Sequence, residues 1–284
     1  MRKRYSQAGF TMIEMMISTI ILLLVMSTAF ELMTAVQTRK RAEEERVDIL
    51  EESRDFVDEL SRDLRNAGYP DAHMYGCGTP IAGGGIQTGG ACTLGATPVN
   101  TTKLAAGLVA VSSTDVLFEG DVNQDGNIDS VRYQLTATNG NCPCSLYRSQ
   151  VNKAAGPPYP VGVSVNGANG VQGTTFNVQV DNVINSVGGA NAYPISGNTP
   201  WGTANDTYYA TYKVSPIFTF YDSNYNVLAV PADLQGGNFA AGAAVAPNVR
   251  AILITVNILA PSVDIVSGVR PGVTMRTMVR IGNI

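Results

Sequence analysis

Three groups of residues have types and spacings that could do chemistry. The first is Gly9-Phe10-Thr11 with Glu14, preceded by Arg2, Lys3 and Arg4 and followed by Met15 to Phe30, sixteen residues without a charge. Glycine at position 9 lets a protease reach the backbone with no side chain in the way. Cutting between Gly9 and Phe10 would discard a short hydrophilic leader and keep the apolar stretch at the new N-terminus. A secretory signal peptide has the reverse order, with small residues beyond its apolar stretch. Arg2, Lys3 and Arg4 hold the leader on the cytoplasmic side. An ordinary single-pass anchor that is never cut is the simpler alternative.

Glu14 poses a problem of solvation. A carboxylate within a membrane helix costs about 2.5 to 3.5 kcal/mol near the bilayer centre, so it needs a partner. A purely local answer exists: near its own helix N-terminus, the helix dipole favours a negative charge.

The second group is Asp121-Val-Asn-Gln-Asp-Gly-Asn-Ile-Asp129. Oxygen ligands at Asp121, Asn123, Asp125, Asn127 and Asp129, with Gly126 at the sharp turn, reproduce the opening spacing of a calcium loop. The twelfth position is Arg132 where a bidentate Glu belongs, and both flanks read as strands instead of helices. A hairpin turn on Asp125-Gly126 explains the same residues without Ca2+.

The third group is the four cysteines, Cys77, Cys92, Cys142 and Cys144, all beyond the apolar stretch, as disulfides of an oxidising compartment would be. Three connectivities are open. Pairing Cys77 with Cys92 leaves Cys142 and Cys144 in a tight Cys-Pro-Cys ring; cross-pairing the two clusters avoids that strain and ties the loop after the helix to a later turn. Zinc is a further alternative, without its usual Cys-x-x-Cys spacing. Catalysis has little to stand on, because His73 is the only histidine and no nucleophile motif accompanies it. Gly83-Gly-Gly85 and Gly89-Gly90 lack the strand and helix that a phosphate loop requires.

These groups must be positioned by a long helix and a set of strands. From Phe10 to Val36 the only charges are Glu14 and Glu31. A helix of that stretch is roughly 40 Å long, enough to cross a bilayer. No Gly or Pro occurs from Phe10 to Ala67. Residues 37–67 read as an amphipathic continuation, with Val47, Leu50, Val57, Leu60, Leu64 and Ala67 on one face. Arg39-Lys40-Arg41 followed by Glu43-Glu44-Glu45 reads as a solvated surface, and Gly68 as the helix stop. Beyond it, strands are expected at Leu108–Ser112, Val116–Glu119, Val131–Thr136, Thr175–Val180, Tyr208–Tyr221, Val227–Val230, Val249–Leu259 and Thr274–Ile281. The fold class is therefore α+β: a long N-terminal helix, half anchor and half amphipathic, packed on an antiparallel β-sheet domain. The chain divides into a leader (1–9), a membrane helix (10–36), the amphipathic helix (37–67) and a β-rich domain (68–284). Loss of the leader leaves 16 basic against 23 acidic residues, which gives no support to nucleic-acid binding.

The N-terminal residues resemble the type IV pilin and pseudopilin family, whose leader ends in Gly before Phe and Thr, with a Glu five residues into the mature chain; Gly9, Phe10, Thr11 and Glu14 match. The resemblance implies cleavage by prepilin peptidase, N-methylation of Phe10, storage in the inner membrane with the β-rich domain in the periplasm, and extraction into a pilus or pseudopilus fibre. It also implies that Glu14 pairs with the free amine of a neighbouring subunit. Two unit charges ~4 Å apart at an effective dielectric of ~20 attract by roughly 4 kcal/mol before desolvation. Ser61-Arg-Asp-Leu-Arg-Asn-Ala-Gly-Tyr69, Val131-Arg-Tyr133, Leu146-Tyr-Arg148, Phe218 to Leu228 and Val279 to Asn283 are similar to PilW-type minor pilins and to the J-type pseudopilins of type II secretion. Major pilins commonly carry a proline where Glu31 stands, which points to a minor subunit. The implied role is structural, joining other minor and major pilins or pseudopilins and priming or capping the fibre; a tip adhesin is the alternative from another class.

Overall fold

The computed structural model describes residues 11–70, 80–81, 85–86, 105–138, 141–153, 177–185, 215–234, 238–261 and 270–282. The chain divides into two compact units, residues 1–47 and 48–284.

In the first unit, helix α1 (Met12–Asn66) begins and runs on without interruption. It is long and apolar enough to cross a membrane. Its apolar side chains from Met12 to Val36 are bare, with Leu23 and Leu32 about as exposed as side chains on an isolated helix, at 68% and 69%. Among the charges that follow, Lys40 and Glu44 form an exposed i,i+4 pair at 3.4 Å, worth only about 0.3 to 0.5 kcal/mol.

In the second unit the same helix acquires a buried stripe: Ile49, Ser53, Phe56, Val57, Leu60, Ser61, Leu64 and Ala67. The expected face was offset at its start. Val47 and Leu50 are exposed, and Ile49, Ser53 and Phe56 take their place. Steps of four, three and four from Ile49 lead directly to Leu60, whereas the seven-residue gap from Leu50 to Val57 left the register loose. Ser53 fits because its hydroxyl returns to the Ile49 carbonyl within the helix.

The stripe packs on an antiparallel sheet of eight strands. A two-stranded ribbon, β1 (Pro80–Ile81) and β2 (Gly85–Ile86), stands apart from it. The main sheet comprises β3 (Gly107–Val111), β4 (Asp115–Gly120), β5 (Asp129–Thr138), β6 (Asn141–Asn152), β7 (Asn177–Val183), β8 (Phe218–Tyr221), β9 (Ala251–Leu259) and β10 (Gly272–Arg280). Its order is β10-β9-β7-β6-β5-β4-β3, with β8 also paired to β9. Val116 and Phe118 from β4, Val131, Tyr133 and Leu135 from β5, Leu146 from β6 and Ile252, Ile254 and Val256 from β9 form one core with the helix stripe. Helix α2 (Asn238–Val245) brings Phe239 to a smaller cluster with Val109 and Leu117.

Polar side chains fix the helix on the sheet. The Tyr133 hydroxyl donates to Asp63 at 2.7 Å, and Arg148 donates to the same carboxylate at 2.8 Å while its guanidinium lies 5.8 Å from the Tyr133 ring centre. Burial, with Asp63 beside it, holds the phenol protonated far above its ordinary range, as a donor must be. Burial opposes the charge on Arg148, but Tyr133 and Asp63 outweigh it and raise its pKa.

The expected strands at 108–112, 116–119, 131–136, 175–180, 249–259 and 274–281 all fall on observed ones with shifted ends. Of the expected Tyr208–Tyr221 strand, only β8 is strand among the described residues; 208–214 lie outside them. Val227–Val230 is no strand. Asp222 accepts the N–H groups of Asn224 and Asn226, both at 2.8 Å, and folds the segment into a tight turn with a single bridge from Tyr221 to Val227. Strand β6 was not anticipated, because Asn141, Pro143 and the two cysteines read as a turn. The register between β5 and β6 shifts between Ala137 and Thr138, and an irregularity of this kind is where a strand tolerates proline. Helix and sheet approach closely at Gly120: a Cβ there would run into the backbone carbonyl of Asn66. Gly120→Ala should therefore destabilise the domain by about 3 kcal/mol, the upper end for an inserted methyl against unyielding backbone. Urea unfolding of the detergent-solubilised chain measures it, and an unchanged midpoint would disprove the close approach.

Candidate functional site

Helix α1 starts with Thr11 as its N-cap. The Thr11 carbonyl accepts the N–H of Glu14 and Met15 at 3.1 and 3.2 Å. The Glu14 N–H reaches the Thr11 hydroxyl at 3.4 Å, and the Glu14 carboxylate takes the Thr11 N–H and hydroxyl, both at 3.4 Å. Thr-x-x-Glu here is a capping box, in which the two residues satisfy donors that the first helical turn leaves open. All of these contacts are long and exposed. The carboxylate thus has a local resting place near the positive end of the helix and remains accessible to a stronger cation. Gly9 and Phe10 lie outside the described residues.

The second candidate, residues 121–128, links β4 to β5 as a hairpin loop. Its backbone turns at Gln124 and Gly126, with φ of 59° and 81°; the second position suits glycine. The Asp121 carboxylate accepts the N–H of Asp125 at 3.1 Å and of Gly126 at 3.0 Å. Asn123 accepts the Asp125 N–H through its side-chain oxygen at 3.1 Å, and Asp125 accepts that of Asn127 at 2.8 Å. The loop is anchored at both ends, by the Asp121 N–H on the Tyr69 carbonyl at 2.9 Å and the Lys153 N–H on the Ile128 carbonyl at 2.7 Å. Asp129 is buried. One of its oxygens accepts from Gln150 at 2.9 Å, and the other has no partner among the described residues. Burial pushes its carboxyl up to about 6; Gln150 opposes the shift, and the charges of Asp125 and Asp121 add to it. Arg132, at the twelfth position of the pattern, belongs to β5 and forms a buried bidentate pair with Asp115. Among the described residues, no group of three His, Cys, Asp or Glu side chains stands arranged to hold a metal ion.

Two features escaped the sequence. Lys153 and Glu119 form a second buried ion pair at 2.7 Å, and nothing in their spacing links residues 34 apart. Asn185, just past β7, ties the chain there to β9 and to the segment before β8: its amide donates to the Thr255 and Ser215 carbonyls at 2.8 and 3.1 Å, and its oxygen accepts the Asn257 N–H at 2.6 Å.

Of the cysteines, Cys144 is disulfide-bonded and fully buried on β6, inside the core and not in a turn. Cys77 and Cys92 lie outside the described residues, and so do His73 and both glycine runs.

Residues 4–30 match the model of the prokaryotic N-terminal methylation motif. The chain's N-terminal segment carries a prepilin-type methylation motif. No curated protein and no solved structure matches the chain. The matched residues take in the capped start of α1 and most of the bare apolar run.

If Cys144 is bridged as described, iodoacetamide should leave it unlabelled in the denatured, unreduced protein and label it after reduction. Peptide mass mapping reads the difference, and labelling before reduction would contradict the bridge.

Proposed function

We propose that the chain is a structural minor pilin of the PilW type, cut between Gly9 and Phe10, N-methylated on Phe10, and built into a type IV pilus at or near its tip. The observation that carries the reading is the match of residues 4–30 to the N-terminal methylation motif, joined to an apolar helix whose side chains are bare from Met12 to Val36. Such a helix needs lipid before assembly and neighbouring helices after it. The local partners of Glu14 agree with the assembly role. A carboxylate held at 3.4 Å by Thr11 can exchange those weak bonds for a charge-assisted one to the amine of an adjacent Phe10, which is shorter and about twice as strong. Continuous helix through Glu31, where major pilins commonly have proline, supports a minor subunit. The J-type pseudopilin of type II secretion shares all of these features and is the second reading; the genes beside this one distinguish the two.

Two substitutions separate processing from assembly. Gly9→Trp should leave the uncut precursor in the membrane fraction. Glu14→Gln should be cut normally and yet be depleted at least about tenfold from sheared fibres, since a neutral side chain forfeits the charge pairing. Immunoblots of membrane and fibre fractions give both answers; normal cutting of Gly9→Trp, or wild-type incorporation of Glu14→Gln, would overturn the proposal.

A further inference from the structure

The geometry points to Arg39, Lys40 and Arg41 as a seat for the phosphates of anionic lipid headgroups, on the leaflet that α1 leaves at its C-terminal side. The inference rests on the reading of a membrane-stored subunit and adds what holds that subunit at a fixed depth. Between Phe10 and Glu45 these three are the only basic side chains, and they are consecutive. All three are exposed on continuous helix. Successive residues stand about 100° apart around a helix, so the three charges span more than half of its circumference and meet lipid on several sides.

Their height is the first support. From Met15, just after Glu14, to Val36, the last apolar residue before the cluster, the helix is roughly 33 Å long, close to the ~30 Å of a hydrocarbon core. Arg39 to Arg41 then stand roughly 5 to 8 Å beyond Val36. The polar layer of a bilayer is about 5 to 8 Å deep on each side, the difference between that core and a full thickness of ~40 to 45 Å. Because Cα–Cβ bonds of a helix tilt toward its N-terminus, the basic groups lean back toward the lipid. With Val36 at the edge of the hydrocarbon, the cluster lies at the level of the phosphates.

The second support is the order of the charges. Glu43, Glu44 and Glu45 come one turn later, roughly 11 to 14 Å beyond Val36 and outside the polar layer. The potential of an anionic surface falls off within ~8 Å at physiological ionic strength, so it attracts the near basic ring more than it repels the distant acidic one. The internal alternative is weak. Lys40 and Glu44 are 3.4 Å apart on side chains 74% and 59% exposed, and such a pair contributes little, so Lys40 can exchange the carboxylate for a phosphate at small cost. The forked donors of arginine match phosphate oxygens two at a time. On the membrane side the nearest carboxylate is Glu31, roughly 12 Å below Arg39. Extraction of the subunit from the bilayer must break these contacts, so the cluster favours storage.

Electron spin resonance of the full-length chain in phosphatidylcholine bilayers tests the assignment, with trace spin-labelled phosphatidylglycerol or phosphatidylcholine reporting the lipid immobilised at the protein. The wild-type chain should hold phosphatidylglycerol at least about threefold over phosphatidylcholine, a preference that weakens toward about 1 M salt, where screening acts within ~3 Å. Arg39→Gln/Lys40→Gln/Arg41→Gln should lower the preference at least about twofold while immobilising as much lipid in total. Arg2, Lys3 and Arg4 are the same in both chains and cancel in the comparison. Glu43→Gln/Glu44→Gln should keep or raise the preference, because it removes charge that the surface repels; a fall would show that the basic side chains serve these glutamates, and would overturn the assignment. Immobilised lipid without preference, or an equal preference in wild type and triple variant, would also overturn it and leave the membrane helix standing. No immobilised lipid of either kind would show that the helix does not enter the bilayer, and would overturn the membrane reading together with this one.

Discussion

Everything beyond residue 48 depends on one requirement: helix α1 must bury a narrow stripe on the sheet. Leu60 and Leu64 have no exposed surface and Phe56 only 3%; each such side chain contributes about 1.5 to 3 kcal/mol on burial. Phe56 meets the edge of Tyr133 with ring centres 6.0 Å apart, and Phe118 lies parallel to the same ring at 6.4 Å. Tyr133 is therefore the meeting point of helix, strand and polar clamp. Hydrophobic contact brings the surfaces together, and the Tyr133–Asp63–Arg148 network decides where along the sheet the helix stops. A displaced helix would strand Asp63 in the core without donors, at a cost well above the net worth of the bonds themselves.

The sheet carries a second polar layer that solves a different problem. Asp115 with Arg132 and Glu119 with Lys153 are buried ion pairs. Burial pushes both carboxyls up, and their cationic partners pull them back. Such pairs contribute little net stability, yet losing either partner is severe. Their effect is on register, since Asp115 and Arg132 lie on neighbouring strands whose slippage by one residue would leave a bare charge inside. The same register brings Asp129 opposite Gly120 at the mouth of the β4–β5 loop.

The sequence was most informative where chemistry is local. Glycine before Phe10, the distance to Glu14 and the unbroken apolar run lie within some thirty residues, and each has a meaning fixed by neighbours along the chain. The strands with alternating apolar residues, such as β9, were legible for the same reason. The helix stripe is legible only from Val57 onward, because Val47 and Leu50 are apolar but lie off the face on which Ile49, Ser53 and Phe56 are buried. Strand β6 was hidden by Pro143, whose tolerance depends on an irregular register with β5. Asp63 with Arg148 and Glu119 with Lys153 are separated by 85 and 34 residues, and no pattern in one chain announces which distant charges will meet.

The central claim is that a helix with two differently used halves joins a processed, membrane-stored end to a helix-on-sheet domain. Intact-mass analysis of this subunit recovered from sheared fibres tests it most directly. The account predicts a chain beginning at methylated Phe10, with the disulfide of Cys144 still formed. A chain in the fibre that still begins at Met1, or one bearing a free Phe10 amine with no methyl group, would contradict it.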